Sequence, residues 1–120
     1  MTVIMYAANE SEQEVSSVNW TPVASVSKTL ETPGEHMIWV NAEYAGVNVD
    51  EVVGVRVLID GDEASFDHFE PRLANQFRTF SPFGMKNFNV GTHEVSLEAR
   101  CLDATQTVKV RRVRLLVMKH

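Results

Sequence analysis

The chain contains one cysteine, Cys101, so an intramolecular disulfide is excluded. Cys101 lies on the apolar side of an alternating run, which favours a small core residue over a reactive thiol. No apolar run is long enough to cross a bilayer, and Met1–Tyr6 lacks the basic residues that open a signal peptide. We therefore expect a protein made in a cytoplasm, without a membrane partner.

Positive charge is also scarce. Eleven Lys and Arg face sixteen Asp and Glu, for a net charge of −5. A nucleic-acid binder needs a basic stripe, and the only concentration of cations alternates with valine and leucine near the C terminus, as solvent-facing strand residues do. It comprises Lys109, Arg111, Arg112, Arg114 and Lys119. We predict a solvated or intersubunit face and no nucleic-acid partner.

Motifs that carry chemistry are missing as well. There is no Gly-x-Ser-x-Gly elbow, and the four histidines are scattered singly at His36, His68, His93 and His120. The acidic turn Asp60–Glu63 could supply oxygens to calcium, but it lacks the EF-hand spacing, and a charged hairpin turn is favoured. We predict that the chain is not an enzyme and has no catalytic residue, metal site or cofactor.

Alternation of apolar and polar residues is the strongest pattern present. From Gly91 onward, Val95, Leu97, Ala99 and Cys101 share one side of a strand, since the side-chain period of a strand is two. The last strand alternates as well, but its apolar residues change parity near Arg111–Arg112. One extra residue must therefore be absorbed there, which predicts a β-bulge.

Short alternating segments recur at spacings typical of all-β proteins, with turn residues between them. Asp60-Gly61 predicts a hairpin, because both central positions of a type I′ turn need positive φ. We predict an all-β fold, an antiparallel two-sheet β-sandwich that is jelly-roll-like, with about eight strands. Residues 1–120 form a single domain, in which residues 1–14 could serve as an extended N-terminal arm.

The apolar residues in excess of what a small core needs indicate an oligomer or partner contact. The arm, the mid-strand Trp39 and the aromatic-rich stretch between residues 69 and 83 contribute to it. The predicted contact residues are Met1, Val3, Met5, Tyr6, Trp39, Phe69, Pro71, Phe77, Phe80 and Phe83. Free strand edges are a second expected contact surface. An alternative is a glycan-stacking platform made of Trp20, Trp39 and Tyr44.

Several segments also carry a family resemblance: Trp39–Tyr44, Val55–Gly61, His68–Pro71, Gly91–Arg100 and Val110–Val117. In these segments the chain resembles small tailed-phage proteins of about this length, jelly-roll β-sandwiches that decorate virions on capsid or tail. The similarity runs from about residue 20 onward. Related patterns occur in tail-fibre tips and in carbohydrate-binding modules, and no residue of known chemical role is shared.

The resemblance implies a non-enzymatic virion structural protein, a decoration or cement protein that self-associates as a homotrimer and clamps capsid or tail subunits. Its location would be the virion, after synthesis in the host cytoplasm. The alternative function is a carbohydrate-binding or receptor-binding module of a phage tail fibre, with a glycan as partner.

Overall fold

The computed structural model describes residues 2–119, and Met1 and His120 lie outside the described residues. Within this range the chain forms strands and no helix, because each apolar segment alternates with a period of two. The strands are β1 Thr2–Asn9, β2 Gln13–Val15, β3 Thr21–Leu30, β4 Gly34–Gly46, β5 Val53–Ile59, β6 Asp62–Phe69, β7 Arg78–Phe80, β8 Phe83–Phe88, β9 Gly91–Cys101 and β10 Val108–Lys119.

The strands form two antiparallel sheets packed face to face. The larger, six-stranded sheet has the order β1-β10-β4-β7, with β2 also paired to β10 and β8 also paired to β4. The smaller sheet has the order β3-β9-β5-β6. The predicted antiparallel, jelly-roll-like sandwich is confirmed. Among residues 2–119 there are ten strands rather than about eight, partly because β2 and β7 are three-residue pieces too short to show a period.

The core lies between the sheets and follows the predicted parity. Val95, Leu97, Ala99 and Cys101 of β9 are completely buried. The Cys101 thiol donates to the carbonyl of Val15 over 3.3 Å, and burial raises the pKa of that thiol. Cys101 is therefore an inert core residue, as predicted, because a neutral buried thiol is a poor nucleophile.

The predicted bulge in β10 is present. Arg112 has a φ of 53°, and the pairing of β10 with β4 shifts register between Arg111 and Arg114. Arg111 Nε donates to Glu43 over 2.9 Å and Arg112 Nη1 donates to the same carboxylate over 3.1 Å. These two salt bridges lower the pKa of Glu43 and hold the bulge against β4.

The N-terminal segment differs from the prediction of a free arm. Residues Thr2–Asn9 pair along β10, and Gln13–Val15 pair with its upstream half. Met5 points inward and is only 3% exposed. Met5 and Val15 pack against the inward side of β10, so the N-terminal segment completes the large sheet. The interpretation of this segment as a free arm is therefore wrong for the described residues.

The strand edges also differ from the expected contact surfaces. A register shift interrupts β1 between Val3 and Met5, another interrupts β3 at Pro22, and a third lies where β6 pairs with β5. On β8, Lys86 pairs with the buried His36 and so points toward the sandwich interior. Bulges, proline and inward charges blunt an edge against strand addition. These four edges are therefore poorly suited to augmentation.

Candidate interaction surfaces

A row of apolar side chains crosses the outer face of the large sheet. Tyr6 pairs with Leu116, Leu116 with Trp39, and Trp39 with Phe83, so the four residues are direct cross-strand neighbours. Tyr6 is 56% exposed, Trp39 38% and Phe83 61%. The Trp39 Nε1 donates to Ser81 Oγ over 2.8 Å, which anchors the indole. We call these four residues the aromatic row.

A second apolar row runs beside the first, two residues along β10, β4 and β8 and three residues along β1, where a register shift adds one residue. Val3 pairs with Met118, Met118 with Met37, and Met37 with Met85. Met85 and Val3 are about half exposed, and the two central methionines are partly buried. We call these four residues the methionine row, and the two rows together the outer apolar face.

Outward positions of an antiparallel sheet are ordinarily polar when they face water. Contiguous exposed apolar surface of more than a few hundred Å² marks an interaction site in soluble proteins. Aromatic residues and methionine are also the types enriched in the cores of protein interfaces. The outer apolar face therefore has both the extent and the composition of a protein contact.

The predicted contact residues divide into three groups. Val3, Tyr6, Trp39 and Phe83 lie on the outer apolar face. Phe69 and Phe77 are half-buried, Phe77 beneath the Arg111 guanidinium at 3.6 Å. Met5, Pro71 and Phe80 are buried, so their assignment as contact residues is wrong: their side chains fill the interior. Met1 lies outside the described residues.

Four members of the face were missed by sequence reasoning: Met37, Met85, Leu116 and Met118. A signal existed in β10, where Leu116 and Met118 alternate with the buried Leu115 and Val117. Apolar residues on both sides of a strand indicate that both sides are covered. The same signal existed in β4, where Met37 and Trp39 alternate with the buried Ile38 and Val40. Met85 on β8 carried no such signal, because it joins the face only through pairing with β4.

The glycan platform proposed from sequence does not form. Tyr44 is completely buried, and its hydroxyl donates to Asp67 over 2.5 Å. Burial, and then the Asp67 hydrogen bond, raises the pKa of Tyr44 far above its ordinary value. Trp39 lies on the large sheet, whereas Trp20 packs against residues of the small one. The three rings therefore share no surface.

Trp20 instead belongs to a cluster on the outer face of the small sheet. The guanidinium carbons of Arg56 and Arg100 lie 4.5 Å and 4.3 Å from its ring centroid, in the range of cation–π contacts. The His68 ring lies 5.9 Å from Trp20 and 5.4 Å from Phe66. We call Trp20, Arg56, Phe66, His68 and Arg100 the cation–aromatic cluster.

The cation–aromatic cluster mixes satisfied and unsatisfied groups. Arg56 is neutralised by Glu98 at 2.7 Å and Glu63 at 3.5 Å. Arg100 has a buried Nε without a hydrogen-bond partner among the described residues. Burial, and then the charge of Arg100, hold the pKa of His68 below its ordinary value. The exposed ring of Phe66 thus stands beside charged hydrogen-bond donors.

A groove of about 300 Å³ opens between β6 and β8, where the two sheets are not closed over each other. Its floor contains the core residues Val40 and Val57, and its walls include Asp62, Glu63 and Lys86. Both flanking strands have the blunted edges described above. The groove is therefore a weak candidate for docking of an extended chain.

The acidic turn is tied to the next hairpin. Asp60 and Gly61 have φ values of 53° and 84°, as the predicted type I′ turn requires. The Asp60 carboxylate accepts from His93 Nδ1 over 2.7 Å and from the backbone N of Glu94 over 2.8 Å. His93 Nε2 lies 2.7 Å from the carbonyl of Asn89. Both ring nitrogens therefore face acceptors, which favours the doubly protonated ring.

The hydrogen-bonded pair of Asp60 and His93, which we call the clasp, predicts a pH dependence of stability. The hydrogen bond to Asp60 raises the pKa of His93; burial opposes but does not outweigh the hydrogen bonds that lower the pKa of Asp60. The His93 contribution is complete below the ordinary histidine value of 6.5 and is lost as pH rises through the folded pKa. The Asp60 contribution is complete above 3.8 and is lost as pH falls through its lowered pKa. We expect stability from the clasp to be greatest between these values.

Thermal unfolding of the wild type and His93→Gln across this pH range measures the effect. The difference in Tm between them should shrink as pH rises above 6.5. Only the wild type carries His93, which loses its proton in this range and with it the stabilising charge. His68→Gln is the matched control, since a lowered folded pKa moves the corresponding change to acid pH. A difference that is constant across neutral pH contradicts the assignment.

No group of three or more His, Cys, Asp or Glu side chains within residues 2–119 is placed to hold a metal ion. In the same part of the chain, no helix is long and apolar enough to cross a membrane.

Comparison with known proteins identifies the fold and not a family. No protein-family model and no curated protein matches the chain. Among solved structures, Eiger TNF from S. frugiperda is 9% identical with a TM-score of 0.62, over 100% of this chain and 94% of that one. The C-terminal domain of EclA, a sugar-binding protein, is 16% identical with a TM-score of 0.60, over 91% and 79%.

The insecticidal delta-endotoxin Cry8Ea1 from Bacillus thuringiensis is 13% identical with a TM-score of 0.59 over 90% of this chain. The chain spans only 20% of that protein's length. These three similarities place the chain among β-sandwich domains. None of the three is a tailed-phage virion protein, so the resemblance noted in the sequence stays a prediction.

Proposed function

We propose that this protein is a non-enzymatic binding module that contacts protein through its outer apolar face. The observation that carries the proposal is the unbroken pair of apolar rows across β1, β10, β4 and β8. Covering such a surface removes apolar area from water, at about 25 cal/mol per Å² before the costs of association are subtracted. Left in contact with water, this apolar surface adds nothing to the stability of the isolated sandwich.

The chemistry of the face favours protein over sugar as its ligand. Methionine, leucine and valine side chains have no strong hydrogen-bond donor, and the Trp39 indole N–H is already bonded to Ser81. A sugar buried there would leave hydroxyls without partners, which is costly. A protein surface can supply apolar side chains that interdigitate with the rows.

The narrower proposal is a virion decoration protein, attached to capsid or tail. Its support is the resemblance in the sequence, together with an exposed apolar sheet face that can pack against a protein lattice. A protein that binds only the assembled particle stabilises it by mass action. The absence of a catalytic motif from the sequence supports the non-enzymatic part of the proposal.

Co-sedimentation with capsids from which this chain has been stripped tests the attachment. Phe83→Glu should reduce the bound fraction at least tenfold, because it places a charge within an apolar contact. Phe66→Glu should bind as the wild type does. The two phenylalanines are matched, 61% and 58% exposed on edge strands of opposite sheets. Equal losses for both variants contradict contact through the outer apolar face.

A carbohydrate-binding function is the second candidate, favoured by the cation–aromatic cluster. There an exposed aromatic ring, Phe66, adjoins His68, and the Arg100 Nε has no hydrogen-bond partner among residues 2–119. Rings of this kind stack on apolar sugar faces while charged donors bind hydroxyls or acidic groups. The sugar-binding EclA domain shares the fold, which is compatible with this candidate.

A glycan array separates the two functions. If the cluster binds sugar, Phe66→Ala should abolish binding to every glycan that the wild type retains, since the stacking surface is lost. Phe83→Ala, a matched truncation on the other sheet, should leave the pattern unchanged. An array on which the wild type binds nothing eliminates this candidate.

A further inference from the structure

The partner that covers the outer apolar face is identified by how the two rows are arranged. In each strand that crosses the face, one member of the methionine row lies next to one member of the aromatic row. Val3 adjoins Tyr6 in β1, Met37 adjoins Trp39 in β4, and Met85 adjoins Phe83 in β8. The surface therefore consists of large rigid side chains along one line and flexible ones along the other.

A second copy of the chain fits this arrangement. A two-fold axis that lies in the interface, parallel to the rows and between them, places the methionine row of each copy on the aromatic row of the other. Position along the row is preserved, so Met37 meets the partner's Trp39 and Met85 meets the partner's Phe83. Thioether–aromatic contacts are favourable, and methionine adapts its shape to the ring it meets.

We propose that two copies of this protein pair face to face through the outer apolar face in an isologous dimer. This rests on the proposed function, because the second copy covers the face while the protein is free, and binding to a particle replaces that copy with a capsid or tail surface. An isologous contact requires a self-complementary surface, and the alternation of the two rows supplies one. The sheets would pack about 10 Å apart, as facing sheets do.

The outer apolar face is large enough to form the core of a stable pair. Its three aromatic side chains, 56%, 38% and 61% exposed, together leave about 300 Å² uncovered. Stable interfaces bury about 800 Å² per partner, so the five other members of the face and the polar positions beside the rows supply the remainder. The polar margin of the sheet supplies the rim.

The strand edges point to the same mode of association. Register shifts interrupt β1, β3 and β6, and Lys86 points inward on β8. Edge-to-edge pairing into a continuous sheet is therefore opposed on both sheets. Face-to-face packing uses none of these edges and leaves every ladder hydrogen bond intact.

Light scattering during size-exclusion chromatography of the full chain tests the dimer. The expected mass is twice the 13.5 kDa of one chain, decreasing on dilution. Phe83→Glu should raise the dimer dissociation constant by about 30-fold or more, the effect of losing an interface hot spot. Phe66→Glu is the matched control and should leave it unchanged. Far-UV circular dichroism confirms that both variants fold.

Mixing two variants tests the row-on-row arrangement. Met37→Glu and Trp39→Lys should each weaken self-association, because each buries one charge in an apolar contact. An equimolar mixture should recover heterodimers, since the introduced charges of opposite sign meet across the two-fold axis. Mixtures that stay monomeric while the wild type dimerises overturn this arrangement. A mass of three chains overturns the two-fold symmetry.

The two proposals fail in different ways. A wild type that is monomeric at every concentration, but binds stripped capsids in a Phe83-dependent manner, overturns self-pairing and leaves the contact function standing. A wild type that dimerises, together with capsid binding that Phe83→Glu leaves unchanged, overturns the attachment surface and leaves self-pairing standing. Binding of a glycan to the outer apolar face, lost with Trp39→Ala, overturns both.

Discussion

Gln106→Ala is expected to lower the free energy of unfolding by about 4 kcal/mol, since each buried polar group left without a partner costs about 1–3 kcal/mol. The Gln106 side chain is completely buried and fully hydrogen-bonded. Its Oε1 accepts from the backbone N of Asn48 and of Thr107, over 2.8 Å and 3.0 Å. Its Nε2 donates to the carbonyls of Asn48 and Glu51, each over 2.7 Å.

Truncation removes the side-chain partner of four backbone groups in half-buried loops. It also weakens the connection between the loop after β4 and the loop after β9, which the Asn48–Thr105 and Thr105–Glu51 hydrogen bonds still join. Urea unfolding followed by circular dichroism measures the loss.

Gln13→Ala is the matched control for this substitution. Gln13 lies in β2 and is partly buried, and its side-chain Nε2 has no hydrogen-bond partner in the described part of the chain. Its removal should change stability by less than about 1 kcal/mol, because no satisfied hydrogen bond is broken. If the two variants are equally destabilised, the side-chain network of Gln106 is not what holds the loops together.

Leu115→Ala should destabilise the protein by about 3 kcal/mol, within the range for a leucine truncated in a well-packed core. Leu115 is completely buried on the inward side of β10, the strand that β1, β2 and β4 all join. The neighbouring elements are sheet strands fixed by ladder hydrogen bonds, so the cavity can collapse only partly.

The adjacent leucine provides the contrast. Leu116 points outward into the aromatic row, and Leu116→Ala should cost the isolated chain less than about 1 kcal/mol while weakening self-association. Thermal unfolding at low protein concentration, where the chain is monomeric, separates the two effects. Comparable losses for both variants there contradict the assignment of inward and outward faces.

The fold could be predicted because its determinants are local. Alternation in β9 specified which side chains are buried, Asp60-Gly61 specified a turn with two positive φ angles, and the parity change in β10 required the bulge at Arg112. Each inference needs only residues within one or two strands of sequence. None depends on knowing which strands become neighbours.

The candidate surfaces were predicted only in part, because they depend on long-range pairing. Trp39 and Phe83 were recognised as contact residues, but only the β4–β8 register brings Trp39 beside Phe83 and Met37 beside Met85. Tyr44 shares the parity of Ile38, Val40 and Ala42 in β4, so alternation already placed it on the side opposite Trp39; its partner Asp67 could not be identified from the sequence. Gln106 looked like an ordinary loop residue, since three of its four hydrogen-bond partners lie more than fifty residues away.

The extra residue in β10 also has a geometric consequence for the large sheet. If Arg112 were deleted, the order of inward and outward side chains would be unchanged, because Val110 and Val113 would then alternate regularly across Arg111. The irregularity thus serves curvature: a bulge sharpens the local twist of a strand. It divides β10 into a half that accompanies β2 and a half that accompanies β1. The twist of the strand that carries Leu116 and Met118 is therefore set in part by a residue outside the outer apolar face.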